Sequence, residues 1–342
     1  MAARVFHVII ARHSGAIALR SEEYKLLQAA CQSMARHHPE LQRNQEESPD
    51  ESAKSIEKEI CGFLGAIWKD RESVYDSAEE SLQPLMLLYD VALLQVCDMS
   101  HFGFKNVDYR GRTIWPNLAL PSRPSPNGVF YVLTSNLAQS MQAFRLLILH
   151  GFESQARATF RGTVEIADLM IMVLASEATY REYIKSFEDT KTSYQHWKNN
   201  LSPAVIRASL SNLEVNSPIN VPIDTTPNDI RKDTYSWLSK FIHVDFAAHV
   251  VAANPPMLDG TCGRLAMLGS VGEMTKATLA HALLYLWISL LRLENLVWEK
   301  HRWRHFRGDR SRKWFHYRCR ALDELFLCYL PTFWEKNPPV GL

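Results

Sequence analysis

The chain has 342 residues, enough for one large domain or two ordinary ones with a sizeable core. Hydrophobic residues make up 46% and charged residues 22%, an ordinary balance for a soluble globular protein. With 38 basic against 37 acidic residues, global charge argues for neither nucleic acid nor a membrane surface, so either case must rest on local clustering.

The N-terminal stretch "MAARVFHVIIARHSGAIALR" has an apolar run, but His7, Arg12 and His13 break it, which no secretory signal tolerates. Six cysteines (Cys31, Cys61, Cys97, Cys262, Cys319 and Cys328) are widely spaced, with no CxxC pair, as expected of buried thiols in a reducing compartment. A cytoplasmic protein is therefore expected.

Helices are predicted over 21–38, 52–75 and 78–98, with the acidic stretch "RNQEESPDES" (43–52) as a solvated linker. The segment 99–128 is rich in Pro, Gly and aromatics and reads as a long ordered loop. Beyond it, Leu137, Met141, Phe144 and Ile148 recur at helical spacing, and Gly151 stands where a C-cap belongs. A second helix starts at Ser154 and runs to about Ser176, closing an antiparallel hairpin. A third covers about 178–199, and the Pro-rich 215–229 is a second loop. A fourth covers about 229–252, capped by Asn228 or Asp229 and stopped by "NPP" at 254–256. Two more follow, at about 264–305 and 311–330. The longest apolar run, Leu279 to Leu291, is too short to span a bilayer, which needs about 20 residues, so no membrane is expected as a partner. Extended pieces fit only near 4–10 and 129–133.

The expected fold is an all-α multi-helix bundle of about nine or ten helices. Its parts are an N-terminal helical segment (1–98), the long loop (99–128), the main bundle (129–330) and a C-terminal tail (331–342).

On the helix after Gly151, Arg157, Arg161, Glu165 and Asp168 fall at i, i+4, i+8 and i+11, which is one face. The rest of that helix is apolar nearly all round, so it is buried, and its polar stripe needs partners. An Arg161–Glu165 pair facing solvent or a neighbouring helix satisfies this without any chemistry. The run "TYSWLSKFIHVDFAAHV" (234–250) offers another partner. Asp245 and His249 are one turn apart and can pair as carboxylate and imidazole, while His243 shares a separate stripe with Ser239 and Phe246. His243 or His249 is thus expected within hydrogen-bonding reach of the 157–168 helix, in a buried polar network. The Glu-x-x-His repeats of di-iron bundles are missing, so no metal and no cofactor is expected.

The pairing of "ARATFRGTVEIADL" with a downstream "YSWLSKFIHVDF" resembles uncharacterised bacterial all-helical proteins found beside mobile elements and defence genes, similar in architecture to HEPN-type bundles. The resemblance covers about 130–300 and rests on short motifs. It implies a ribonuclease carrying an Arg, four to six intervening residues and then a His, the Arg stabilising phosphate and the His activating the 2′-hydroxyl. Arg145 to His150 and Arg310 to His316 match that spacing, but the polar residue usual after the Arg is Leu146 in one and Ser311 in the other. The candidate catalytic residues are therefore Arg161, Glu165, His243, Asp245, His249, Arg310 and His316.

The C-terminal "KHRWRHFRGDRSRKWFHYRCR" (300–320) is the strongest partner signal. Arg302, Arg304, Arg307, Arg312 and Lys313 interleave with Trp303 and Trp314, a pattern that suits RNA through phosphate contacts and base stacking. It equally suits a protein interface, so a protein partner or a homo-oligomer is expected as well. No P-loop, dinucleotide fingerprint, GxSxG or HExxH occurs. Two functions follow as expectations: a HEPN-like defence effector or toxin acting on RNA, or a non-catalytic helical antitoxin, adaptor or scaffold.

Overall fold

The computed structural model describes residues 21–37, 48–83, 85–105, 126–185, 189–219, 221, 225–239, 269–299, 317, 319–321 and 323–328. Every regular element among them is helical, as the sequence predicts for an all-α bundle. The helices are α1 (Ser21–His37), α2 (Pro49–Ser81), α3 (Leu85–Lys105), α4 (Pro126–Leu149) and α5 (Glu153–Ala175), then α6 (Glu177–Tyr183), α7 (Thr190–Asn200), α8 (Pro203–Asn216), α9 (Pro227–Ser239) and α10 (Glu273–Glu299). Further helical residues lie within 317–328.

The chain divides into two compact units, Met1–Asp76 and Ser77–Leu342. In the first, α1 and the start of α2 bury Cys31, Ala35 and Ala53, with Leu27, Ile56 and Ile60 packed around them. The expected acidic linker in fact holds the start of α2. The Ser48 hydroxyl accepts from the Glu51 amide, and a Glu51 carboxylate oxygen accepts from the Ser48 amide at 3.0 Å, a capping box with Pro49 at the first helical position.

In the second unit α5 is the central element, packed by α4, α8, α9 and α10, while α10 also packs on α3 and α9. Rings run through the core from Tyr89 to Phe144 (5.3 Å between centroids), Phe160 (4.8 Å) and Tyr285 (6.3 Å), tying α3, α4, α5 and α10 together. The predicted α4–α5 turn is present. Gly151 has φ 71°, its amide donates to the Ile148 carbonyl, and the Phe152 amide donates to Leu147 at 2.8 Å, the paired bonds of a Schellman ending. Gly269 (φ 94°) faces this turn, and a Cβ on either glycine would run into the other segment's backbone. The window Met274–Leu296 in α10 is long and apolar enough to cross a bilayer, yet 67% of its most apolar stretch is buried against the other helices.

Several boundaries differ from expectation. Residues 129–133, read as extended, lie inside α4. Helix α5 begins at Glu153, and Ser154 caps nothing. The single helix expected over 178–199 is two, because Ser176 and Asp189 each cap a new start by accepting from Thr179 and Thr192 amides. Helix α8 was not expected at all, although Ser202–Pro203 is a helix-start signal. Helix α9 is capped by Thr226, whose hydroxyl accepts from the Asp229 amide at 3.2 Å. The loop read over 99–128 is helical at both ends, since α3 continues to Lys105 and α4 starts at Pro126; 106–125 lie outside the described residues.

Candidate functional site

The predicted stripe on α5 divides into three environments. At its first turn, Arg157 is fully buried and its Nε donates to the Glu153 carboxylate and to Thr278 Oγ1 at 3.0 Å. Thr278 donates to Glu153 at 2.5 Å and accepts from Trp237 Nε1 at 3.3 Å. The guanidinium carbon of Arg157 sits 4.3 Å from the Trp237 ring, and Trp237 stacks on His281 at 5.0 Å. Burial lowers the Arg157 pKa, with Glu153 opposing. Burial first, and then the Arg157 charge, push His281 down to about 4, so its imidazole is neutral.

Three turns on, Asp168 enters a buried ionic network. Arg231 of α9 donates from NH1 to Asp168 Oδ1 at 2.9 Å and to Ser289 Oγ at 3.2 Å, and from NH2 to Glu214 Oε1 at 3.5 Å. Arg292 of α10 donates from Nε to Glu214 Oε1 at 3.3 Å and from NH2 to Oε2. The Tyr285 hydroxyl donates to Asp168. Two guanidiniums and two carboxylates balance in charge, with Arg292 0%, Asp168 2%, Glu214 5% and Arg231 6% exposed. The geometry satisfies most but not all of their donors: among the described residues Arg231 Nε and Arg292 NH1 have no acceptor. Burial pushes the Asp168 carboxyl up while Arg231 and Tyr285 draw it down; burial also lowers Arg231, but Tyr285, Asp168 and Glu214 outweigh it and hold the cation firmly charged.

Between these two lies a half-open rim. Arg161 Nε donates to Glu165 Oε1 at 3.3 Å, with the side chains 28% and 35% exposed, and Arg161 NH2 donates to the Tyr235 hydroxyl at 2.7 Å. Arg207 of α8 lies over the Tyr235 ring at 3.5 Å and donates from Nε to the Pro203 carbonyl at 3.1 Å. Beside them α5, α7, α8 and α9 enclose a cleft of about 270 Å³, walled by apolar side chains such as Leu169, Leu201 and Ile206, with Trp197 on one side and Asp168 in its lining.

Of the predicted catalytic set, Arg161 and Glu165 are thus together at the cleft. His243, Asp245, His249, Arg310 and His316 lie outside the described residues, as do Arg302, Arg304, Arg307, Arg312, Lys313, Trp303 and Trp314. The other Arg–His match divides: Arg145 forms a two-pronged ion pair with Asp90 at 2.6 and 2.9 Å, and His150 ends α4. Sequence reasoning missed Glu214, Arg231, Tyr285, Arg292 and Arg207. The signal for Arg292 was available, since a lone arginine inside a long apolar helical run must find a counter-charge. Among the described residues no three His, Cys, Asp or Glu side chains converge as metal ligands do. No family model, curated protein or solved structure matches this chain.

Proposed function

We propose that this chain is a non-catalytic helical interaction protein, in which the Asp168–Arg231–Glu214–Arg292 cluster is structural. The observation that carries this reading is that both core carboxylates are buried and taken up by guanidiniums. A general acid or base must reach the atom it serves. Asp168 and Glu214, each with a side chain 3% exposed, are engaged by guanidinium donors instead, and Asp168 by a phenol as well. What such a network supplies is a fixed register of α5, α8, α9 and α10, because a slip would strand a buried charge. A rigid bundle of this kind presents surfaces, as an adaptor, antitoxin or scaffold does.

The competing reading, a HEPN-like effector that cuts RNA, places its chemistry on Arg161, Glu165, His243, Asp245, His249, Arg310 and His316. One assay separates the two. Purified full-length chain is incubated with total RNA beside His243→Ala and His316→Ala variants. Intact RNA in all three samples is the expected result. Cleavage by the wild type that either variant abolishes overturns the non-catalytic reading.

A further inference from the structure

Helix α7 has a composition no core demands: "TKTSYQHWKNN" contains two lysines, two aromatics and no carboxylate, and none of its residues is buried. Lys191, Tyr194 and Lys198 fall at i, i+3 and i+7, on one face. Tyr194 and Trp197 are 60% and 44% exposed and stack on each other at 5.8 Å, forming a flat aromatic surface in solvent. Of the acids flanking α7 among the described residues, Asp189 caps the helix through Thr192, and Glu182 pairs with Lys185 at 2.7 Å and lies 3.7 Å from the His196 ring of α7; Glu188 lies outside the described residues. The only carboxylate on α8, Glu214, is in the buried network. Lys191 and Lys198 have no carboxylate partner among the described residues, and Arg207 forms no ion pair there, although its charge helps draw the Asp168 carboxyl down.

This surface adjoins the cleft, because Trp197 and Arg207 both line it. Inside, Glu165 uses Oε1 on Arg161, and its Oε2 has no partner among the described residues. One edge of the site therefore attracts anions, the walls are apolar and aromatic, and the interior holds a hydrogen-bond acceptor.

We propose that α7 and the adjoining cleft bind single-stranded nucleic acid: phosphates lie on Lys191, Lys198 and Arg207, a base stacks on Trp197, and its exocyclic amino group donates to Glu165. This names a partner for the interaction protein proposed above and rests on that reading. A single strand is required because stacking on a side chain needs an unpaired base. An acidic peptide fits less well, since its carboxylates gain nothing from the stacked rings and would meet Glu165 in the cleft. The acceptor in the cleft favours cytosine and adenine, which carry amino groups, over uracil.

The test is fluorescence anisotropy of the full chain with labelled 12-mers of rC, rA, rU and dC across a salt series. Each is repeated with a Lys191→Gln/Lys198→Gln variant, with Trp197→Ala and with Glu165→Ala. All but Glu165 are exposed α7 positions, and far-UV circular dichroism confirms helicity before binding is read. The expected result is tighter binding of rC and rA than rU. Affinity should fall at least tenfold in Trp197→Ala, about the loss of one stacked base. The double lysine variant should lower the slope of log K against log salt by about 1.4, the value for two lost phosphate contacts on a single strand. Glu165→Ala should erase the base preference. Ultraviolet cross-linking should place the oligonucleotide on the peptide containing Tyr194 and Trp197; comparison of rC with dC tells RNA from DNA. Absence of binding overturns the proposal, as does binding that none of the variants changes, which would assign it to the basic 300–320 segment. Equal competition by polyglutamate overturns it in favour of an acidic partner. None of these outcomes touches the non-catalytic reading, which the RNA cleavage assay decides by itself.

Discussion

Two ion pairs on α5 begin only three residues apart and end in opposite physical situations. Glu165 meets Arg161 on its own helix at a rim about one third exposed, whereas Asp168 meets Arg231 from α9 where neither side chain is more than 6% exposed. The helix turn that separates them carries one carboxylate from solvated to dry. At the rim, water competes with the pair and it contributes little. In the interior, solvation is gone, and the charge persists only because other charges replace it. The same residue types on one helical stripe therefore do two jobs: the inner pair fixes helix register, and the outer one leaves polar atoms open to a ligand.

The strongest way to break that contrast is to remove one inner charge. Among the described residues Glu214 is the sole carboxylate on Arg292 and a second one on Arg231, so Glu214→Leu strands the buried Arg292 guanidinium and leaves Arg231 with Asp168 alone. Urea denaturation should show a loss of about 3–5 kcal/mol. Pairing it with Arg292→Met should recover a large part of the loss, since an apolar pair of similar volume replaces the ion pair. A single variant that costs under about 1 kcal/mol would mean the network is wet, and the contrast with the rim would vanish.

A second prediction sharpens the contrast at the other buried end of the stripe. His281 faces Arg157 of α5 and Trp237 of α9, and its pKa falls from 6.5 to about 4 on folding, through burial and the Arg157 charge. The unfolded chain takes up a proton near pH 6.5 while the folded chain refuses it until about pH 4. The stability this group contributes is thus complete above pH 6.5 and is lost as pH falls toward 4. The shift corresponds to about 3 kcal/mol. Denaturation midpoints at pH 7 and pH 4 in wild type and His281→Leu should diverge by that order; parallel curves would refute it.

How much of this was legible beforehand follows the same division between local and long-range physics. Helical periodicity exposed the all-α fold, and the glycine at 151 exposed the α4–α5 turn, because both are encoded within a few residues. The stripe on α5 was legible as a stripe. Its partners were not: Arg231, Glu214 and Arg292 come from 63, 17 and 78 positions away along their respective pairings, distances over which no pattern in one sequence reports contact. Glu214 was doubly hidden, since α8 was read as no element. The expected partners His243 and His249 lie outside the described residues, and Tyr235 and Trp237, earlier in the same run, supply the polar and aromatic contacts to Arg161 and Arg157.

The smallest effect belongs to the rim, and its smallness is the point. Glu165→Gln removes the charge that Arg161 meets at 3.3 Å but keeps an oxygen able to accept the same hydrogen bond. Arg161 retains the Tyr235 hydroxyl at 2.7 Å and lies over its ring at 5.1 Å, so the guanidinium is not stranded. At about one third exposure, solvent screens what remains. The expected change in urea stability is therefore between about 0 and 1 kcal/mol, shrinking further as salt rises. The corresponding charge removal on the inner side of the stripe, Asp168→Asn, should exceed it several-fold, because Arg231 loses its nearest counter-charge where neither side chain is more than 6% exposed. Measured side by side, equal losses would show that exposure does not separate these two pairs, and the division of α5 into a structural and an open half would fall with it.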